Sequence, residues 1–381
     1  MAHRRSLFHH WRSVIAILLI VATPLRAQTQ KPEEAFALPI PTYLQLLDGY
    51  RRYDSEATRD LRVFWERFER VHEKVLSLFI QMVPREVWPI SVMALTDLGF
   101  DASARGDKKL GDRHLRIAGR WVDQILEVNP SPSMPMNRFA RKWYLAVIWQ
   151  RFVRFERSDA EELLERAREL FPNDPEVLLS SGSLEEMELT FTRLLRGPRT
   201  GREVTSNFGV FAPEMQMIKA SGYFREAIRL DPGNAEARIR LAWLRTVSQT
   251  MDFSGGLTLL KEARALAPKP PLSYLAALFS GRIEEELKHL DAAASWYRTA
   301  IAECPLAQTA RLGLSHVQLD QDEIVSSRNT LRPLIHSSRT LDYACEPDPW
   351  NMYEFGQAWR RTDWIAAMRK EVREPMEGSQ P

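Results

Sequence analysis

The chain has 381 residues, with 52 Lys and Arg against 50 Asp and Glu. The slight positive balance comes from the N-terminus: residues 1–27 hold four arginines and no acid, which leaves 48 basic against 50 acidic side chains in the rest. A near-neutral chain of mixed charge has no electrostatic footprint for nucleic acid, so DNA or RNA is not an expected partner.

Arg4, Arg5 and Arg12 form a basic lead, and residues 14–22 (VIAILLIVA) follow as an unbroken apolar run of 9. Pro24 breaks the run, and Leu25-Arg26-Ala27 ends in a small residue. This pattern predicts an export signal over residues 1–27, cleaved before Gln28, and a periplasmic or secreted mature chain. Nine apolar residues fall well short of the roughly 20 that span a bilayer, so no stable membrane anchor is expected after cleavage. No cysteine stands near the cut to carry a lipid.

Residues 28–40 read as a polar, proline-containing linker. From Pro41 onward apolar residues recur at three and four. In residues 292–301 (AAASWYRTAI), Ala293, Trp296, Tyr297, Ala300 and Ile301 share one helical face. No run of β-branched residues alternates with period two, so the expected class is all-α. A single core stops growing beyond about 250–300 residues, whereas stacked repeats avoid that limit.

A repeat is visible in the helix ends. Residues 167–172 read ARELFP, 227–232 AIRLDP, 263–268 ARALAP and 300–305 AIAECP, each with alanine five residues before proline. A fifth end, ILEVNP at 125–130, has isoleucine for the alanine. The unit ending at Pro305 also carries Gly281, Ala293 and Tyr297 at set offsets. The unit ending at Pro130 has Gly106, Ala118 and Val122. The units ending at Pro172 and Pro232 have Ala160 with Leu164, and Ala220 with Phe224. Ile148 replaces the glycine in the former. Small residues let paired helices approach, an aromatic fills the groove between hairpins, and proline stops the second helix. Gly281 is expected to supply the positive φ of the turn between helices.

These residues resemble tetratricopeptide repeats, helix–turn–helix units of 34 residues, as found in exported bacterial members of that family. The resemblance covers residues 95–335 and extends more loosely to a divergent N-terminal hairpin or hairpins at 41–94. It implies a right-handed α-solenoid of stacked helical hairpins. The interval between Pro172 and Pro232 is about 26 residues longer than one unit, and the excess is expected as a long loop at 195–213 interrupting one hairpin. That stretch carries Arg196, Arg199 and Arg202, and reads either as a basic surface loop or as a partner contact. Residues 336–372 hold Trp350, Trp359 and Trp364 and are expected to cap the apolar end of the solenoid. Residues 373–381 read as a disordered tail.

No catalytic or cofactor pattern is complete. His72-Glu73 lacks a second histidine four residues on, Gly313-Leu314-Ser315-His316-Val317 lacks the second glycine of a nucleophile elbow, and Gly197-Pro198-Arg199-Thr200-Gly201 lacks the lysine of a phosphate loop. His114, His289, His316 and His336 stand alone in sequence, and no Cys–His spacing fits a metal. Glu284-Glu285-Glu286 reads as a solvated helix face, and the tryptophans at helical spacing as core rather than a ligand cage. Cys304 and Cys345 either form a disulfide, which would close about 41 residues and add roughly 4 kcal/mol, or remain two buried thiols.

The resemblance implies a non-enzymatic scaffold without cofactor, binding a protein or extended peptide on the concave face formed by the first helices of the hairpins. On that analogy the partner-binding positions are Arg238, Arg245, Leu278, Arg282, Glu285 and Glu286, with Leu241 and Leu275 beside them and Trp149 further off. The alternatives are a self-assembling envelope component and, less favoured, an enzyme with an unrecognised site near residues 195–213.

Overall fold

The computed structural model describes residues 39–68, 73–128, 135–154, 156–196, 212–247, 251–336, 345, 348–354 and 358–373. The expected export signal, most of the linker, all but the ends of the 195–213 loop, and residues 374–381 lie outside the described residues. Among the described residues every regular element is helical, and the fold is an all-α solenoid of helical hairpins. No helix among them is long and apolar enough to cross a membrane.

The chain divides into two units, one running to Trp143 and taking in the residues from Trp364, the other Tyr144–Asp363. The first holds α1 (Pro39–Arg51), α2 (Ser55–Phe68), α3 (Glu73–Met82), a 3-10 turn at Arg85–Val87, α4 (Trp88–Ala104) and α5 (Lys108–Val128). The region read as 41–94 thus contains three helices and the start of a fourth, and helix begins at Pro39 rather than Pro41. Its core is aromatic: Tyr43 stacks on Phe64 at 5.0 Å and meets Trp65 and Phe79 edge-on at 5.5 and 5.3 Å. Trp121 meets Phe79 at 6.4 Å and Trp88 at 6.3 Å. Rings in edge-to-face pairs add about 0.5–1.5 kcal/mol each beyond the area they bury.

Gly106 has φ +89° and turns the chain between α4 and α5, with Asp107 N–H donating to Ala102 O at 3.0 Å. Only a residue without Cβ holds that conformation at little cost. Ala118, Val122 and Ile125 of α5 are all buried, as their register with the later units requires.

α6 (Pro135–Val153) begins in the first unit and ends in the second. The second unit continues with α7 (Arg157–Leu170), α8 (Pro175–Arg196), α9 (Ala212–Leu230), α10 (Ala235–Val247), α11 (Phe253–Leu266), α12 (Leu272–Glu286), α13 (Leu290–Glu303), α14 (Gln308–Asp320) and α15 (Ile324–His336). α16 (Pro349–Glu354) and the start of α17 (Ala358–Arg373) complete it. Second helices bury the expected small and bulky positions: Ala160 and Leu164 on α7, Ala220 and Phe224 on α9, Leu260 and Ala263 on α11, Ala293 and Tyr297 on α13. Pro172, Pro232, Pro268 and Pro305 each stand two residues past the end of such a helix, where a missing N–H costs nothing.

The role expected of Gly281 is corrected. It lies inside α12 and not at a turn. A Cβ there would come within 2.8 Å of the Tyr297 ring, so the glycine serves close approach. The positive φ of that turn belongs to Lys288 at 61°, with His289 N–H donating to Glu284 O at 2.8 Å. Asp322, also at 61°, closes α14 in the same way through Glu323 N–H and Gln318 O at 2.7 Å.

The 26-residue excess falls between α8 and α9, which pack as the two helices of one hairpin. Gly182 of α8 meets Phe224 of α9 just as Gly281 meets Tyr297, a Cβ at Gly182 lying 2.4 Å from the Phe224 ring. These pairs are 42 and 16 residues apart, so the whole excess lies between the helices.

His114 on α5 is buried, and its pKa falls from 6.5 to about 4 through burial first, with Arg113 and Arg62 adding to it. Below pH 6.5 the unfolded chain binds a proton that the native site refuses. The native state therefore keeps its full stability above pH 6.5 and loses it as pH falls toward 4. The loss is on the order of 3 kcal/mol. Thermal unfolding from pH 7.5 to 4 should show this fall, and His114→Leu should flatten that part of the profile. A profile identical in the variant would dismiss His114 as its source.

Candidate interaction face

The first helices of the second unit's hairpins, α8, α10, α12 and α14, present one face, which combines charged groups with rings of the apolar cluster that also takes in Tyr353 and Cys345. On the first-helix face stand Glu186 of α8, Glu236 and Arg240 of α10, Trp243 beside them, and Phe279 and Arg282 of α12. Arg240 donates to Glu186 Oε2 at 2.7 Å and to Glu236 Oε1 at 3.0 Å. All three are almost fully buried, Arg240 at 1% exposure.

What buries them is the C-terminal segment. Tyr353 of α16 lays its ring 4.3 Å from the Arg240 guanidinium and donates its hydroxyl to Glu186. The Tyr353 ring meets Phe279 edge-on at 5.0 Å, and Trp350 meets Phe279 at 5.6 Å and Trp243 at 6.4 Å. Asp348 accepts from the Tyr274 hydroxyl at 3.1 Å and from Thr309 N–H at 2.8 Å. Arg360 of α17 donates to Glu176 of α8 at 3.0 Å, and Arg361 to Gln150 of α6 at 2.5 Å. Cys345 is bonded to Cys304 at the end of α13, their Cα atoms 5.6 Å apart, so the bridge left open by the sequence is formed. The expectation that residues 336–372 cap the solenoid's end is corrected for the described part of that segment. Residues 345, 348–354 and 358–361 lie along the first helices, because aromatic and charged side chains among them find partners there. In the first unit the later residues of α17 pair similarly: Arg369 with Asp97 of α4 at 2.5 Å, and Lys142 with Glu371.

Burial raises the pKa of Glu186, with Arg240 and the Tyr353 hydroxyl opposing. Burial likewise raises that of Tyr353, helped by Glu186. The tyrosine is therefore neutral and able to donate at physiological pH.

The positions proposed from the resemblance divide in two. Leu278 at 1% exposure and Trp149 at 0% are core, as are Leu241 and Leu275. Their assignment to a binding surface is corrected: the indole N–H of Trp149 points at Ser180 Oγ, 3.4 Å away, and nothing outside can reach either side chain. The charged positions reach solvent to different degrees. Arg238 pairs with Glu262 of α11 at 3.2 Å, and Arg245 with Asp252 at 3.2 Å. Arg282 is exposed and stands 5.4 Å above the Trp243 ring, and Glu286 is exposed. Glu285 is more than a solvated charge. It accepts from the Tyr297 hydroxyl at 2.5 Å and faces His316 Nδ1 at 2.5 Å, linking α12, α13 and α14. The sequence reading missed Glu186, Arg240, Trp243 and Phe279 as one constellation. The length of the 195–213 insertion hides the register of α8 against α10.

Arg240→Met leaves Glu186 and Glu236 buried without their cation, which typically costs about 3–5 kcal/mol. Denaturant unfolding should show a loss of that size, largely recovered when Glu186→Gln and Glu236→Gln are added. A loss under about 1 kcal/mol would mean that solvent already reaches the carboxylates.

Residues 249–308 match the family model of the tetratricopeptide repeat. Among solved structures the chain is similar to PilF of Pseudomonas aeruginosa, at 14% identity over 63% of this chain and 93% of that one, with TM-score 0.40. It is also similar to a tetratricopeptide repeat protein from Parabacteroides merdae, at 12% identity over 76% and 94% with TM-score 0.42. A thermophilic tetratricopeptide repeat protein of Thermus thermophilus gives 15% identity over 63% and 99% with TM-score 0.37. No curated protein matches the sequence. The match at 249–308 falls on α11, α12 and α13, where Gly281, Ala293, Tyr297, Ala300 and Pro305 hold their repeat positions, so this part of the chain carries tetratricopeptide repeats.

Proposed function

We propose that the protein is an exported, non-enzymatic scaffold that holds a segment of another protein against the first-helix face of its second unit. Tetratricopeptide repeats suggest such a role in general. The observation that carries the reading here is the character of that face: arginines and carboxylates on α10 and α12, with the half-buried Trp243 ring among them. Arg282 over Trp243, with Glu286 one helical turn further on, offers a cation, a ring and an anion to an incoming chain. Charge-assisted hydrogen bonds from such groups give orientation as well as affinity. Export is supported by the basic lead, the apolar run and the small residue at Ala27.

The test is crosslinked affinity capture with the full chain expressed in its own cells. Arg282→Glu combined with Arg245→Glu should lower recovery of the crosslinked protein at least tenfold, while the far-ultraviolet spectrum stays that of the wild type. Intact mass of the same bait should correspond to a chain beginning at Gln28. Undiminished capture by the charge-reversed bait would sink the face assignment, and a bait retaining residues 1–27 would sink export by cleavage.

A further inference from the structure

We infer that residues 348–353 are a resident ligand of the first-helix face, and that the slot they fill recognises a partner segment bearing two aromatic side chains one helical turn apart. The inference rests on the scaffold reading above and names the chemistry of its partner.

Three observations carry it. The first is the floor of the slot. Tyr353 lies over the Arg240 guanidinium and donates to Glu186, so the cover completes the surroundings of a buried Arg240, Glu186 and Glu236 cluster. Charges at a permanent interior cost desolvation that apolar side chains of similar volume avoid. Groups that take polar partners from the cover would be hydrated again if it lifted, which lowers the cost of exchanging one occupant for another.

The second is the cover. α16 is six residues long, too short to be stable alone in water. Its place is set by what it touches: Trp350 and Tyr353 stack on each other at 5.7 Å and lie on Phe279, while the Tyr353 hydroxyl reaches Glu186. Two rings three residues apart with a carboxylate at Asp348 just before them form a compact recognition pattern, which another chain could present equally well.

The third is the tether. The Cys304–Cys345 bond fixes the segment's start to the end of α13, three residues before Asp348. A tether of this kind keeps an otherwise weak segment at high effective concentration over its slot. An incoming segment therefore competes with a local one, and cutting the tether favours the newcomer.

The probe is a fluorescein-labelled synthetic peptide with the sequence of residues 347–363, tested against the full mature chain. Fluorescence anisotropy should show binding at least ten times tighter to Trp350→Ala/Tyr353→Ala than to the wild type, with Cys345→Ser between the two. The same peptide with both aromatics replaced by alanine should not bind. In the wild type, saturating peptide should increase amide hydrogen exchange at residues 348–354 while α13 stays protected. This second measurement does not depend on the variants folding. Equal affinity for wild type and double variant, or unchanged exchange at 348–354 under saturating peptide, would overturn the inference. If the peptide fails while Arg282→Glu with Arg245→Glu still abolishes capture, the scaffold reading stands and only the slot assignment falls. If both fail, the scaffold reading falls with it.

Discussion

Tyr297 lies between Gly281 of its own hairpin and Gly313 of the next because neither residue presents a Cβ to it; one built there would come within 2.8 and 2.6 Å of the ring. That single ring sets the approach of α12 to α13 and of α13 to α14. Phe224 meets Gly182 in the same way within the α8/α9 hairpin, two hairpins earlier. Close-packed interiors do not accommodate even one extra methylene without strain. The approach of α8 to α9, and of α12 and α14 to α13, follows from these contacts. Glu285 ties the arrangement from the outside by bonding the same tyrosine's hydroxyl and facing His316 on the following hairpin.

Much of this could be read in the sequence because it depends on local chemistry repeated at fixed offsets. Alanine before proline marks where a second helix ends, and a small residue followed by a ring marks where it packs. Those positions fall on α7, α9, α11 and α13 as read. The physical role of Gly281 was harder to see, since glycine serves both turns and close contacts and sequence alone does not separate them. Lys288 and Asp322 take the left-handed turn conformation instead, with hydrogen bonds across the helix end to hold it. Gly182 escaped notice for a different reason: the insertion moves it 26 residues out of register with the ring it meets. Leu278 and Trp149 were placed outward by analogy of position. A first helix that also packs against the preceding hairpin is buried on more than one side, and apolar residues on it go inward.

The C-terminal segment was legible as helical and aromatic, but its destination was not. An aromatic stretch after the last repeat reads as a cap, because an exposed apolar end needs one. Its partners lie 167 residues away in the case of Tyr353 and Glu186, and 184 in the case of Arg360 and Glu176. Contacts of such separation leave no periodic trace. Only the charges betray them in retrospect: Glu186, Glu236 and Arg240 occupy first helices at positions where a simple core would have alanine or leucine.

Taken together, the ring contacts and the disulfide perform different parts of one task. The Gly–ring contacts fix how closely α8 meets α9 and α12 meets α13, beneath the face that carries Glu186 and Phe279. The Cys304–Cys345 bond leaves that face untouched and acts only on the cover, holding a short helix that its own hydrogen bonds cannot sustain. A slot with a tethered, weakly self-supporting occupant separates affinity from access. In the proposed slot the rings and charges would decide what fits, and the tether how hard an outside segment must compete. Strengthening the slot alone would tighten the resident and the partner together, because both use the same rings. On the proposed reading, control over access would lie with the bond at Cys345, away from the recognising surface.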